Sequence, residues 1–396
     1  MARVEPSSGE VMVRVCSGSP LLAALSLVAT LSASGCTTAP ERPLLYQPPV
    51  VSTQGVAAIH EIFVATTRQK AADPKAVFDG RRSQDQAFAR IEVSVPAARK
   101  VGSVERPKGS RPDPSRYFTA RSITAYDGLT TFSGHVREAA RGDGGRALVF
   151  VHGYNTAFDA AVYRATQIVH DAGYDGAPIL FTWASGGRAV DYVYDRDSAN
   201  AARDALEDLL RSLARSGVAR IDIVAHSMGT WLTMEALRSL AIAGDRDVGG
   251  RLGDVILASP DIDVDVFKSQ MRRYGVPRRP FFVLLSDDDK ALRFSSLIAG
   301  QQPRLGEYRD AKEIADLGLI VVDLTRTKAG DSFNHTKFAD NPALVALLGE
   351  RLRLGDKFTG ETDAAEAPAL LARGVGAAAE VIVTTPFRVI NMVINQ

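Results

Sequence analysis

A serine hydroxyl is a poor nucleophile until a base takes its proton. The stretch IDIVAHSMG at residues 221–229 sets one serine, Ser227, at the seam between a β-branched run and a helical pattern, TWLTMEALRSL, that begins at once. In a sharp strand-to-helix turn the Oγ is thrust out of the sheet edge, and the next amide, here that of Met228, points the same way at the helix N-terminus. Such a turn crowds strand against helix and demands small neighbours. Gly229 meets that demand, while Ala225 carries one methyl more than the common G-x-S-x-G pattern. In this arrangement the base follows the nucleophile in the chain, after an acid. Of the six histidines only His335 lies beyond Ser227, in DSFNHTKF, directly after the apolar run LGLIVVDL. Serine, acid and histidine in that order perform acyl transfer through a covalent acyl-enzyme.

Three strand ends offer the acid. Asp261 and Asp263 follow DVILASP, Asp287, Asp288 and Asp289 follow PFFVLLS, and Asp323 ends the last apolar run. An acid on the strand preceding the histidine strand best reaches the far imidazole nitrogen and holds its tautomer. That favours Asp289, then Asp287 or Asp288, then Asp263, with the remainder serving as helix caps and solvated turns. An oxyanion hole needs a second amide besides Met228. The run ALVFVHGYNTAF supplies it at Tyr154, with Gly153 needed for the turn and His152 and Asn155 bracing the loop. Trp183, Tyr154 and Phe158 suggest an apolar wall near the site.

These residues must be carried by a scaffold, and periodicity describes it. Strand-like runs occur at residues 61–66, 89–95, 147–151, 178–183, 221–225, 254–258, 280–285 and 319–324, and from residue 147 onward they are continuously apolar, as buried parallel strands are. Helical patterns lie between them. Residues 198–216 put Ala202, Leu206, Leu209, Leu210 and Leu213 on one face and stop at Gly217, and residues 230–243 put Leu232, Ala236 and Leu240 on one face and stop at Gly244. The alternation specifies an α/β fold with a mostly parallel sheet covered on both faces.

The ends of the chain read differently. Arg14 precedes the apolar run LLAALSLVATLSA at residues 21–33, the length of a signal h-region and short of the ~18 residues that span a bilayer. Ser34-Gly35-Cys36 then resembles the lipobox of bacterial lipoproteins, which implies a signal peptide over 1–35, acyl chains such as palmitate on Cys36, and a protein held on a membrane of the cell envelope facing the periplasm. The only other cysteine is Cys16, inside the signal segment, so no cysteine nucleophile remains. Residues 36–56, rich in Pro and Thr, read as an extended tether. Residues 57–355 form the globular domain, and 356–396, alanine-rich and apolar, read as a helical or interfacial extension interrupted at Pro386.

Composition narrows the chemistry. Of the 396 residues 45% are hydrophobic and 23% charged, and the net charge of +1 provides no field to steer the chain to nucleic acid. There is no H-E-x-x-H, no C-x-x-C, no Walker loop and no G-x-G-x-x-G between strand and helix. The arginine run RRYGVPRRP reads as solvated surface. HGYN, FTWASGG, YVYDRDSA at residues 192–199, AHSMG, SDDDKAL and the late His335, in that order, resemble the bacterial esterase/lipase-like α/β-hydrolase family of unknown function. The similarity runs from residue 57 to 353 and includes the early ATTR and IEVSVP segments. It implies the α/β-hydrolase fold, no metal and no cofactor, and it favours Asp289, because the family carries its aspartate just before a basic residue, alanine and leucine. WAS stands where relatives have WPS, and FNHTKF replaces a shorter histidine-aromatic ending. The combined reading is a serine hydrolase acting on a small neutral acyl ester through Ser227, Asp289 and His335; the alternative is a catalytically silent lipoprotein of the same fold with a binding or envelope-organising role.

Overall fold

The structure, a computed structural model, describes residues 43–46, 51–107, 112–328, 330–354, 379–386 and 389–394. The signal segment and Cys36 lie outside them. Within the expected tether, Leu44 is fully buried, and the amides of Leu44 and Leu45 both donate to Lys75 O, at 2.8 and 2.9 Å. That part of the segment is docked on the domain, because a buried leucine and two paired amides outweigh the freedom of an extended chain.

Eleven strands among the described residues form one sheet: β1 (Val56–Lys70), β2 (Phe78–Pro96), β3 (Thr119–Tyr126), β4 (Arg146–Val151), β5 (Ala177–Thr182), β6 (Arg220–His226), β7 (Leu252–Ala258), β8 (Phe282–Leu285), β9 (Ile320–Asp323), β10 (Ala379–Thr384) and β11 (Val389–Ile394). Their spatial order is β11-β10-β9-β8-β7-β6-β4-β5-β1-β2-β3. From β1 through β5, β4, β6, β7 and β8 to β9 every neighbouring pair is parallel, while β2–β3 and β10–β11 add antiparallel margins. β7 is buried at all of its positions, the signature of a strand covered on both faces.

The direction of winding reverses at β4, whose successors β5 and β6 flank it on opposite sides. Such a switch opens a crevice at the strands' carboxyl ends. The register Val151↔Ala225 sets HGYN level with the Ser227 turn.

Helices α1 (Leu129–Ala140), α2 (Phe158–Asp171), α3 (Tyr192–Ala201), α4 (Arg203–Ser216), α5 (Met228–Ile242), α6 (Val264–Tyr274), α7 (Lys290–Ile298), α8 (Ala311–Ala315), α9 (Lys337–Asp340) and α10 (Pro342–Leu354) cover the sheet. One core joins α1, α4, α5 and α6 to one face, and a second joins α2 and α10 to the other. The single helix expected over 198–216 is two, broken at Ala202, whose amide is shared between Ser198 O and Ala199 O. Helical periodicity continues through that point, and Asp195 on α3 is bonded to the amides of Asn155 and Gly186 in neighbouring loops.

The C-terminal segment, expected as a helical or interfacial extension, is sheet where it is described. β10 pairs antiparallel with β9 through Ile382↔Asp323, Val383↔Val322 and Thr384↔Val321, and β11 returns beside it. The β-branched runs VIVTT and VINMVI suit strands, and Pro386 sits in the connection, where its missing N–H breaks no ladder. β10 also covers an edge of β9 that would otherwise present unpaired backbone groups. Residues 355–378 lie outside the described residues.

On α4, Leu206, Leu209, Leu210 and Leu213 are all fully buried against the sheet. Leu209→Ala is expected to lower unfolding stability by about 2–5 kcal/mol, the cost of a buried leucine plus its cavity; urea denaturation followed by circular dichroism measures it, and a change under about 0.5 kcal/mol would contradict this packing.

Candidate active site

Ser227 lies between β6 and α5 with φ 53° and ψ −125°. A non-glycine residue in that region costs about 1–3 kcal/mol and persists only where its surroundings over-determine it. They do so here. Its amide donates to Ala258 O at 2.9 Å, tying the turn to β7, and its carbonyl accepts from Thr230 N at 3.0 Å, Thr230 Oγ1 at 2.6 Å and Asp261 N at 3.3 Å. The demand for small neighbours is also met in space. A Cβ on Gly229 would lie 2.7 Å from Val151 O, and one on Gly153 would lie 2.7 Å from Ser227 Cβ. Gly153 therefore serves close approach, letting the HGYN loop cross directly over the serine.

Asp289 caps α7. Its Oδ1 accepts the amides of Ala291 and Leu292, both at 3.0 Å, and Oδ2 lies 2.7 Å from His335 Nδ1. It is fully buried. The amides of the helix N-terminus and the imidazole thus occupy different oxygens of the one carboxylate. With Nδ1–H donating to this carboxylate, Nε2 is the nitrogen left to accept a proton.

The other carboxylates face elsewhere. Asp288 binds Lys337 Nζ at 2.7 Å and accepts from Asn334 Nδ2 at 2.8 Å, Asp287 is partly exposed with Arg309 at 3.7 Å, and Asp263 caps α6 through the amides of Asp265 and Val266. Asp261 is buried among Tyr192, Ser295 and Arg304, and Asp323 accepts from Thr325 N. Among the described residues only Asp289 of this set bonds His335.

The histidine loop is held independently. His335 N donates to Asp331, and His335 O accepts from His226 Nε2 at 3.2 Å and Ser259 Oγ at 3.1 Å. Burial alone would depress the His335 imidazole, but the hydrogen bond and charge of Asp289 overcome it and raise its pKa above the ordinary value. His226 goes well below its own, through burial and the adjacent His335. The rings of these two histidines lie 4.6 Å apart, so His226 joins the Ser227 turn to the His335 loop. Ser227 Oγ makes no hydrogen bond to His335 here; such bonds commonly tighten when substrate binds.

On the facing loop, the amides of Tyr154 and Met228 donate to no acceptor among the described residues, whereas their neighbours Asn155 and Thr156 donate to Asp195 and Ser185 Oγ. Met228 is the first residue of α5, where a backbone N–H has no intrahelical partner. His152 braces this loop as a neutral ring: Nδ1 donates to Gly153 O at 2.9 Å, Nε2 accepts from Thr182 Oγ1 at 2.8 Å, and burial followed by the Arg68 charge lowers its pKa to about 3.

Trp183 does not form the expected pocket wall. It is fully buried, stacks on His152 at 5.0 Å and donates Nε1–H to His152 O at 2.9 Å, so it braces the loop from below. An aromatic at a buried strand end has most of its surface taken by the core. Phe158, also expected near the wall, is buried in the opposite core. Arg68, Asp195, His226, Asp331 and Lys337 were not singled out by sequence reasoning. Each lies in a quoted motif, Arg68 at the end of ATTR, Asp195 in YVYDRDSA, His226 in AHSMG, and Asp331 and Lys337 in DSFNHTKF, but the motifs gave these residues no role.

The model of an α/β-hydrolase family of unknown function (DUF900) matches residues 130–351. No curated protein matches the chain. Among solved structures, one from a study of two fungal esterases from Rhizomucor miehei aligns at 11% identity, covering 75% of this chain and 85% of its own, with a TM-score of 0.32. A structure of FAE aligns at 9% identity over 76% of this chain and 94% of its own, with a TM-score of 0.27. At such scores neither bears on the chemistry.

Asp289→Asn removes the two largest influences that raise His335, leaving the charges of Asp261 and Asp331 against burial. The His335 pKa, followed by NMR titration of the imidazole, is expected to fall below that of the parent; an unchanged titration would mean that Asp289 does not govern it.

Proposed function

This chain belongs to the α/β-hydrolase family of unknown function, and on that premise we propose that it is a serine hydrolase that cleaves carboxylic esters. The observation that carries the reading is the buried Asp289–His335 pair at 2.7 Å, on the sheet edge where Ser227 stands in its strained turn. In this mechanism Ser227 Oγ attacks the ester carbonyl while His335 Nε2 takes its proton. Asp289 holds the tautomer and stabilises the imidazolium without itself being protonated. The amides of Tyr154 and Met228 receive the developing oxyanion, each such donor being worth about 2.7–4 kcal/mol where one has been removed from a comparable site. Collapse expels the alkoxide, which takes the proton from His335, and water then releases the acid from the acyl-enzyme by the same steps. The near-zero net charge fits a small neutral acyl ester and no nucleic acid partner.

The test is covalent labelling by a fluorophosphonate, read by mass spectrometry, alongside turnover of a panel of p-nitrophenyl esters. The parent is expected to be labelled on Ser227, and Ser227→Ala to lose labelling and turnover while keeping its unfolding transition. A folded parent that is neither labelled nor active sinks the hydrolase reading and favours a silent binding lipoprotein. Because a neutral His335 is the base and its pKa is raised, activity should fall with decreasing pH through a midpoint above the ordinary 6.5. A pH–rate profile with its acid limb below that value would remove His335 from the base role.

We further propose that the chain is held on a periplasm-facing membrane by acyl chains on Cys36. What supports this is the apolar run and Ser-Gly-Cys ending of the sequence, together with the need for more than one chain to anchor firmly. Among the described residues no helix is long and apolar enough to cross a membrane. Cys36→Ser is expected to move the protein from the membrane to the soluble fraction with its ester hydrolysis intact; retention in salt-washed membranes would refute the anchor.

A further inference from the structure

Three motifs of the sequence, ATTR, FTWASGG and YVYDRDSA, take no part in the chemistry just described, yet all three meet beneath the HGYN loop. Arg68, which ends ATTR, is 1% exposed. All three guanidinium nitrogens are engaged: Nε donates to Thr182 Oγ1 at 2.8 Å, Nη1 to Asp79 O at 3.1 Å and Ser185 O at 3.0 Å, and Nη2 to Thr156 O at 2.7 Å, with His152 Nε2 at 3.4 Å. Thr182 in turn meets His152, and Thr66 locks the end of β5 through Thr182 O at 2.8 Å.

Asp195, from YVYDRDSA, is fully buried and does the complementary task of collecting donors. One oxygen accepts Asn155 N at 3.0 Å and Ser185 Oγ at 2.6 Å, and the other accepts Gly186 N at 2.7 Å. Ser185 Oγ also receives Thr156 N at 2.9 Å. The two residues following Tyr154 are thus pinned through their amides to Asp195 and Ser185, and the carbonyl of the second to Arg68.

Asn155 needs that pinning, because its φ is 54°, in the left-handed region that a non-glycine residue adopts under constraint. Rotation there would swing the preceding peptide, which carries the Tyr154 carbonyl, and with it the Tyr154 amide beside Ser227. A lone buried charge is costly; burial raises the Asp195 carboxyl above its ordinary value, opposed by the hydrogen bonds from Ser185, Gly186 and Asn155 and then by the charge of Arg68.

We infer that Asp195 and Arg68 are positioning residues of the oxyanion hole, a carboxylate and a guanidinium that fix the loop presenting the Tyr154 N–H. The inference rests on the hydrolase reading for its catalytic consequence, though not for the loop geometry. Asp195→Asn is the informative change, since its NH₂ would face amide and hydroxyl donors that need an acceptor.

In the full chain, two measurements are made on parent and Asp195→Asn. Hydrogen exchange by mass spectrometry reads the peptide spanning residues 153–157, where the variant should exchange faster. Kinetics on a p-nitrophenyl ester should show kcat falling about 100-fold with KM held within about twofold, as when one oxyanion donor is lost. A trifluoromethyl ketone, whose hemiketal oxyanion occupies the same hole, should bind weaker by the same factor. Unchanged exchange overturns the inference, as does faster exchange with kcat and ketone affinity within threefold of the parent. Should Asp195→Asn not fold, Ser185→Ala, which removes the shared hydroxyl alone, is read the same way. A parent without turnover overturns the hydrolase reading instead, and that is seen before any variant is made.

Discussion

The backbone of Ser227 is the constraint on which the rest depends. A strand that is buried on both faces must end, reverse into a helix and leave one side chain outside, all within a single residue at φ 53°. That conformation is unfavourable locally and is retained because four hydrogen bonds from β7, α5 and Asp261 converge on it. It also forces neighbouring backbones together. Gly229 has no room for a methyl against the end of β4, and Gly153 has none against the serine itself.

The site around that turn places several ionisable groups in a dry environment and resolves each differently. Asp289 is satisfied by a helix N-terminus and an imidazole. Asp261 is taken up by Tyr192, Ser295 and Arg304, and Asp288 by Lys337 and Asn334. His152 and His226 are held neutral by burial, the first against Arg68 and the second against His335. His335 alone among these rings has a carboxylate on it, and its proton affinity rises where the others fall. A direct hydrogen bond to an anion raises an imidazole's proton affinity, where burial beside another cation-forming group lowers it.

The two sides of the site are held by different means. On the serine and histidine side the contacts join adjacent strand ends, β6, β7 and the loop after β9, so the parallel sheet itself sets their spacing. On the oxyanion side the pairing of β4 with β5 and β6 ends at Val151, and side chains from β1 and α3 hold the loop that follows. That difference explains why motifs far from the serine in sequence belong to its surroundings.

Much of this was legible in the chain alone, and the limit is physical. The parallel core, the Ser227 turn, the HGYN loop and the position of His335 depend on short-range periodicity and on small residues at fixed offsets, which a linear reading captures. Choosing Asp289 from DDD by residues alone could not be settled, because consecutive residues of a turn point in different directions and only the start of α7 decides which one faces the histidine. Trp183 read as a wall and is core, since burial at a strand end depends on what packs above it. The terminal strands β10 and β11, expected as a helical or interfacial extension, are sheet because a pairing edge about 60 residues away, on β9, supplies the hydrogen bonds that order a β-branched segment. Arg68 was marked only as the end of ATTR, and its part as a support was not legible, its partners lying up to 117 residues distant. Local residue types thus determine which turns and strands can form, while long-range hydrogen bonds, which cost chain entropy and leave no local signature, decide which of those groups meet.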